Sequence, residues 1–220
     1  MSDDVPQPSR SWLRGGWIFM SSFGLAISGA VAGALAPNGG EFGLASAPSV
    51  EAGIRNYGPR AAIAFGVWGA GLGLSQWAVL RNRLPGSQWW APATIGGWIL
   101  AGSSIGVING GVGGEPAAYD AGGLGAAVAI SASVLAIGVL PATAQWLILR
   151  HSSQTWASYT IRFDVGLAVG GLVGWSTGTA FGLTFPSGPA WVVVGLFMGA
   201  AIGSATARPV TVASDAWAPM

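Results

Sequence analysis

Six long apolar stretches divide this chain, and a helix that crosses a bilayer needs about 20 mostly apolar residues. The segments between them are rich in Gly, Pro, Ser and Asn, which favour turns. Only 8% of the 220 residues are charged, whereas a soluble domain has about 25%. We therefore predict an all-α integral membrane protein, with residues 1–220 forming one six-transmembrane-helix bundle. The predicted spans are residues 15–36, 61–80, 89–110, 124–149, 163–184 and 189–206.

The arginines predict how this bundle is oriented. If the six spans alternate in direction, Arg55 and Arg60 fall on one side of the membrane. The other seven arginines fall on the opposite side: Arg10, Arg14, Arg81, Arg83, Arg150, Arg162 and Arg208. Cytoplasmic loops carry an excess of basic residues, so we expect a bacterial inner-membrane protein with both termini in the cytoplasm. We expect the first stretch to be retained, because its apolar region is longer than the core of a typical signal peptide.

Two segments of the chain resemble each other. "GAGLGLSQWAVLRNRLPGSQWW" begins at Gly69 and "GVLPATAQWLILRHSSQTW" begins at Gly138, and their common QWxxLR motif recurs at an offset of 69 residues. Each copy reads as a helix, a short basic turn and a second helix, over residues 61–110 and 124–184. Two spans per copy give both copies the same orientation. The sequence thus predicts a parallel internal repeat of helical hairpins.

The QWxxLR motif also places an indole and a guanidinium one helical turn apart. We interpret Trp77 with Arg81, and Trp146 with Arg150, as anchors at the membrane interface that can form cation–π pairs. The alternative is that these arginines bind an anionic lipid or the carboxylate of a cofactor. In these motifs the chain resembles uncharacterised bacterial multi-pass membrane proteins with repeated QWxxLR hairpins. That resemblance covers about residues 60–205 and implies no activity.

Glycine recurs at every fourth residue of the fifth span, although each glycine inside a helix costs about 1 kcal/mol relative to alanine in water. In lipid, small residues let helices approach closely. We therefore predict helix packing through the fifth and sixth spans, with the fifth span central and touching two neighbours. The alternative is a groove for a flat or chain-like ligand, namely a lipid, carotenoid or chlorin. The packing residues are Gly166, Gly170, Gly174, Gly178, Gly182, Gly195, Gly199 and Gly203.

Residues with catalytic or metal-binding chemistry are scarce. The chain has no Cys and a single His, so a thiolate site or a pair of histidine ligands is excluded. Asp164, beside Arg162, suits the start of a helix, and a proton or ion entry point is the alternative. We expect no enzyme activity, no metal site, no small-molecule substrate and no required cofactor. The candidates for contacting a cofactor are His151, Trp68, Trp98 and Trp175.

These features favour a non-catalytic structural or accessory subunit of a larger membrane complex, such as a photosynthetic or respiratory one. Its expected partners are other membrane subunits and lipids, with Trp217 in the polar C-terminal tail as a docking side chain. A net charge of +1 is too small for nucleic-acid binding. The alternative is a small transporter or channel with its path between the two repeats. That path would need Gln76, Asn109 or Gln145 to face water and a broken helix at Pro141 as its gate.

Overall fold

The computed structural model describes residues 9–35, 51, 55, 58–112, 124–150, 155–183 and 188–216. Within these ranges the regular structure is helical and contains no strand, which confirms the predicted all-helical class for this part of the chain. The short 3₁₀ turn Ser87–Trp89 precedes the third long helix. The long helices are α1 (Arg10–Leu35), α2 (Gly58–Leu80), α3 (Trp90–Val112), α4 (Leu124–Leu149), α5 (Trp156–Ala180) and α6 (Gly188–Ala216).

Three segments of the described helices are long and apolar enough to cross a membrane. They are Arg10–Ala32 in α1, Gly58–Leu80 in α2 and Gly188–Val212 in α6. A shorter apolar segment, Leu135–Leu149, lies in α4. The lengths and compositions of these helices are those of a membrane protein.

The observed ends of α4 coincide with those of the predicted span. The observed and predicted ends differ most for α5 and α6. Helix α5 begins at Trp156 rather than residue 163, because Thr155 caps it: the Thr155 side chain accepts a hydrogen bond from the backbone N–H of Ser158. Its first two turns are too polar to resemble a membrane span. Helix α6 continues to Ala216, ten residues beyond the predicted end.

Gly182 ends α5 and does not pack against another described helix, so its assignment to the glycine row was wrong. Its φ of +68° is left-handed, and a Cβ added to it would meet no atom of the described residues within 4 Å. The N–H of Leu183 donates to the carbonyl of Gly178 at 2.9 Å, and the N–H of Gly182 donates to the carbonyl of Thr179 at 2.9 Å. This pair of bonds is a Schellman motif, which favours glycine at the left-handed position.

The six helices form a closed ring. Each helix packs against the helices before and after it in sequence, and α6 packs against α1. None of the described helices occupies the centre, so the expected central position of the fifth span was wrong, whereas its expected contact with two neighbours is confirmed by α4 and α6. Helix α4 stays helical through Pro141 rather than breaking there. Pro141 instead packs against Gly97 of α3, where an added Cβ would lie 2.7 Å from the Cα of Pro141.

Glycine rows pack at two neighbouring helix–helix interfaces of the ring, α5 against α6 and α6 against α1. The glycines of α5 lie against the backbone of α6. A Cβ added to Gly166 would lie 2.8 Å from the Cα of Ile202. A Cβ added to Gly170 would lie 2.5 Å from the Cα of Met198, and one added to Gly174 would lie 2.7 Å from the Cα of Val194. Gly178 is buried near the end of α5. The row on α6 contacts a different helix, since Gly195, Gly199 and Gly203 lie against the backbone of α1 around Leu25, Ser22 and Ile18. The predicted packing between the fifth and sixth spans is therefore present, through the α5 row, and α6 is the helix with glycine contacts on two sides.

One glycine contact recurs three times around the ring. An added Cβ at Gly69 would lie 3.0 Å from the Cα of Ile95, and one at Gly138 would overlap the side chain of Asp164. These two contacts keep the 69-residue offset of the sequence repeat. The third is made by Gly199, where the Cβ would lie 2.5 Å from the Cα of Ser22. The ring thus contains three similarly packed helix pairs, the hairpins α2–α3 and α4–α5 and the pair formed by α6 and α1, the last and first helices of the chain.

Candidate functional site

The interior of the ring holds two buried glutamines that bond to each other. Gln76 of α2 and Gln145 of α4 are both fully buried. The amide Nε2 of Gln145 donates to Oε1 of Gln76 at 3.0 Å. The two residues are the equivalent glutamines of the QWxxLR motifs, so the repeat brings them together across the interior of the ring.

Each glutamine also accepts a hydrogen bond from an aromatic side chain 14 residues further along the chain. The indole Nε1 of Trp90 donates to Oε1 of Gln76 at 3.1 Å, and the hydroxyl of Tyr159 donates to Oε1 of Gln145 at 2.8 Å. Trp90 and Tyr159 are fully buried as well. Sequence reasoning missed both residues, although their shared spacing from the glutamines was a signal that could have found them.

Two hydroxyl groups complete what we call the glutamine network: Ser21, Gln76, Trp90, Thr94, Gln145 and Tyr159. Nε2 of Gln76 donates to Oγ of Ser21 at 3.0 Å, and Nε2 of Gln145 donates to Oγ1 of Thr94 at 3.0 Å. The network therefore links five helices. Helix α6 is joined through Trp17 of α1, whose Nε1 donates to Oγ1 of Thr206 at 3.0 Å and whose ring meets that of Trp90 edge to face.

The two glutamines are fully paired within the network. Both glutamine oxygens and both glutamine amide nitrogens are bonded, and none of the six side chains is charged at neutral pH. Buried polar groups that are paired in this way hold a unique arrangement, whereas breaking one bond leaves a costly unpaired group. This arrangement suits a fixed structural plug better than a path for water or ions.

A cavity of about 270 Å³ lies beyond the network, towards the opposite end of the ring. On α2 it is lined by Trp68, which precedes Gln76 by eight residues, or about 12 Å along a helix axis. All six helices contribute to its wall, and every lining side chain is apolar apart from the indole N–H groups. The lining residues are Ala32, Phe65, Trp68, Trp98, Ile137, Leu167, Ala168, Gly171, Trp191 and Met198.

Four aromatic rings dominate this wall. Phe65 and Trp98 are stacked with their ring centroids 5.8 Å apart, and Trp68 meets Trp191 edge to face at 6.1 Å. Trp98 is only 1% exposed, and its indole Nε1 is buried with no hydrogen-bond acceptor within the described part of the chain. The wall of the cavity is therefore largely aromatic.

The four residues predicted from the sequence as candidate cofactor contacts are not all brought together by the fold. Trp68 and Trp98 line the same cavity. Trp175 lies on the outer surface of α5 and is half-exposed, so it is not part of that cavity. His151 lies outside the described residues, as does the predicted docking residue Trp217.

The arginine-rich end of the ring carries the predicted interface anchors. The guanidinium of Arg81 lies 5.9 Å from the ring centroid of Trp77. A second such contact, which the motif did not predict, places Arg83 at 5.4 Å from the ring of Trp12. In the other copy Trp146 is half-buried and Arg150 is exposed at the end of α4.

Asp164 is a half-buried carboxylate between α4 and α5. Its Oδ1 atom is buried and has no hydrogen-bond partner among the described residues. The side chain lies directly over Gly138 of α4, so only glycine fits there without displacing the carboxylate. Among the described residues, no three His, Cys, Asp or Glu side chains are grouped to hold a metal ion.

Comparison with known proteins adds no family to this description. No protein-family model matches the chain, and neither a curated protein nor a solved structure does.

Proposed function

We propose that all six helices cross the membrane and that the chain acts as a non-catalytic structural or accessory subunit of a larger membrane complex. The observation that carries this proposal is the glutamine network. A transporter or channel needs a polar path that water can reach, and an enzyme needs reactive groups at its site. Here the deepest polar groups satisfy one another and are fully buried.

The placement of the arginines supports a six-span arrangement with both termini in the cytoplasm. The bonds from Trp17 to Thr206 and from Tyr159 to Gln145 bring the starts of α1 and α5 to the same end as the later parts of α6 and α4. The seven arginines of the predicted cytoplasmic side thus belong to one end of the ring. An excess of basic residues on one side is typical of the cytoplasmic face of an inner-membrane protein.

The outer surface of the ring supports contact with lipid and with neighbouring subunits. Five large apolar side chains of α5 are at least half-exposed: Ile161, Val165, Val169, Leu172 and Trp175. Such a face needs an apolar environment. A photosynthetic or respiratory complex as the setting stays a prediction from the sequence.

The transporter alternative has less support. Two of its three candidate side chains, Gln76 and Gln145, are buried in contacts between helices, and the side chain of Asn109 lies outside the described residues. The proposed gate at Pro141 is continuous helix.

The proposal is tested by isolating the tagged chain from its native membrane in a gentle detergent and measuring the mass of the intact assembly. We expect the chain together with other subunits. A matched pair of variants then maps the contact: Leu172→Ala changes the outer face of α5, and Leu74→Ala changes that of α2, where Leu74 is also exposed. Loss of a partner with one variant and not the other supports a specific docking face. Recovery of the chain alone, as a monomer or homo-oligomer, contradicts the proposal.

A further inference from the structure

We propose that the ring has a lateral opening between α4 and α5, that the side chain of Asp164 holds these two helices apart as a wedge, and that the cavity reaches the outside of the ring through this opening. The inference goes beyond a structural role, because it gives the ring one side that can open and close. It rests on a comparison of the three helix pairs α2–α3, α4–α5 and α6–α1.

The three pairs are equivalent residue by residue, which makes the comparison possible. In each pair an aromatic side chain of the second helix donates a hydrogen bond to a side-chain oxygen of the first: Trp90 to Gln76, Tyr159 to Gln145 and Trp17 to Thr206. A glycine follows each of these donors by seven residues and packs on the next helix of the ring: Gly97, Gly166 and Gly24. Positions counted from these hydrogen bonds therefore lie at the same level in every pair.

Seven residues before each acceptor, α4–α5 differs from the other two pairs. A Cβ added to Gly69 would lie 3.0 Å from the Cα of Ile95, and one added to Gly199 would lie 2.5 Å from the Cα of Ser22. Between α4 and α5 the equivalent space is filled by the side chain of Asp164, whose Oδ1 atom is buried and has no hydrogen-bond partner among the described residues. The carboxylate thus separates two backbones that touch in the other pairs.

The position three residues before each acceptor also keeps α4 and α5 apart. Gly73 occupies it on α2 and Gly203 on α6, and small residues such as these let helices approach closely. A Cβ added to Gly73 would lie 3.2 Å from the nearest Cα of α3, and one added to Gly203 would lie 2.9 Å from the nearest Cα of α1. The equivalent residue of α4 is Ala142, so a methyl group stands where the other pairs have none.

On the other side of Asp164, towards the cavity, a third set of equivalent positions shows the same difference. Gly102 and Gly29 each lie 12 residues after the donor of their pair, and both are buried. A Cβ added to Gly102 would lie 2.8 Å from the carbonyl carbon of Ala61 on α2, and one added to Gly29 would lie 2.7 Å from that of Trp191 on α6. The backbones of these pairs therefore stay in contact beyond the recurring glycine.

The equivalent glycine of α5, Gly171, faces the cavity instead. It is only half-buried, and the nearest described atoms to a Cβ added there belong to Met198 of α6, at 3.9 Å. Gly171 and the exposed Ala168 line the cavity from α5, and Ile137 lines it from α4. Among neighbouring long helices, α4 and α5 also share the least extensive described contact. The separation that begins at Asp164 thus continues into the cavity.

The experiment measures the separation of α4 and α5 in nanodiscs that contain the full chain. Nitroxide labels are placed on cysteines at Val139 and Val169, and their distance is read by pulsed electron paramagnetic resonance. Asp164→Ala removes the wedge, so this distance should shorten by about 1–2 Å, which is within the range that side-chain size sets for packed helices. Asp164→Asn keeps the shape of the wedge and should leave the distance unchanged. The matched control pair, Ala70 and Leu100, lies 69 residues earlier on α2 and α3, and its distance should be the same in all three proteins.

A second measurement reports the opening itself. The collision rate of dissolved oxygen with a label at Ala168 should fall in Asp164→Ala and stay unchanged in Asp164→Asn. A label at the equivalent position of α3, Ile99, should respond to neither substitution. The proposal is overturned if Asp164→Ala leaves the α4–α5 distance or the oxygen collision rate unchanged, or if Asp164→Asn acts as Asp164→Ala does. It is also overturned if the control pair on α2 and α3 shortens as much.

Discussion

Replacement of Gln145 by methionine removes one centre of the glutamine network with little change in side-chain shape. The variant loses three hydrogen bonds, to Gln76, Thr94 and Tyr159. Hydrogen bonds between helices of a membrane protein contribute about 0.6 kcal/mol each on average, so their loss costs about 2 kcal/mol. The Tyr159 hydroxyl then stays buried without its acceptor, which adds about 1–3 kcal/mol. We expect Gln145→Met to lower the free energy of unfolding by about 3–5 kcal/mol.

A second substitution separates these two contributions. In Gln145→Met/Tyr159→Phe the hydroxyl is absent, so only the lost bonds remain and the cost falls to about 2 kcal/mol. The double variant should therefore be more stable than Gln145→Met alone. Thr143→Val is the matched control, because it removes one bond on the exposed side of α4, from Trp156 Nε1 at 2.9 Å. We expect that control to cost less than about 1 kcal/mol.

The assay is reversible unfolding of the reconstituted protein by a denaturing detergent, followed by far-ultraviolet circular dichroism. Each variant is compared with the wild type, and the double variant completes a double-mutant cycle. The reasoning is refuted if the effects of Gln145→Met and Tyr159→Phe add. It is also refuted if Gln145→Met has no more effect than the Thr143→Val control.

Three further predictions concern the glycine contacts, and the same unfolding assay checks them. Gly170→Ala should destabilise the protein by about 1–3 kcal/mol by pushing α5 from the backbone of α6, whereas Gly171→Ala should be nearly neutral because its nearest neighbour atoms would lie at 3.9 Å. Gly138→Ala should destabilise by a similar amount by displacing the Asp164 carboxylate, and Asp164→Ala should restore most of that loss; absence of rescue contradicts the contact. Gly199→Ala should separate α6 from α1, and wild-type stability of this variant would contradict the closed ring.

The helices were predictable where local signals mark their ends. The bounds of α4 follow from a predominantly apolar run without charged residues between a glycine-rich segment and Arg150. The sequence analysis placed the start of α5 too late, because the first turns of this helix are polar. Its N-terminus is set by the Thr155 cap. Gly182 was misassigned because a spacing of four fits both a packing row and the glycine that ends a helix.

The interior of the ring was only partly predictable. The sequence marked Gln76 and Gln145 as polar groups at depth and identified the repeat that relates them. It did not predict that they bond to each other, because that contact joins helices whose distance in space is not encoded locally. The closure of the ring between α1 and α6 was not predictable for the same reason, because its contacts join residues far apart in sequence. Trp17 and Thr206, for example, are 189 residues apart.

The six-span arrangement is tested most directly by labelling single cysteines with a membrane-impermeant maleimide, since the chain has no cysteine of its own. Cysteine is placed at Ser9, Asn82 and Thr155 at the arginine-rich end, and at Leu183 at the opposite end. In intact spheroplasts we expect only the Leu183 variant to be labelled, and the other three to become labelled after the membrane is opened. Labelling of Asn82 and Thr155 from opposite sides would contradict a ring in which every helix crosses the membrane.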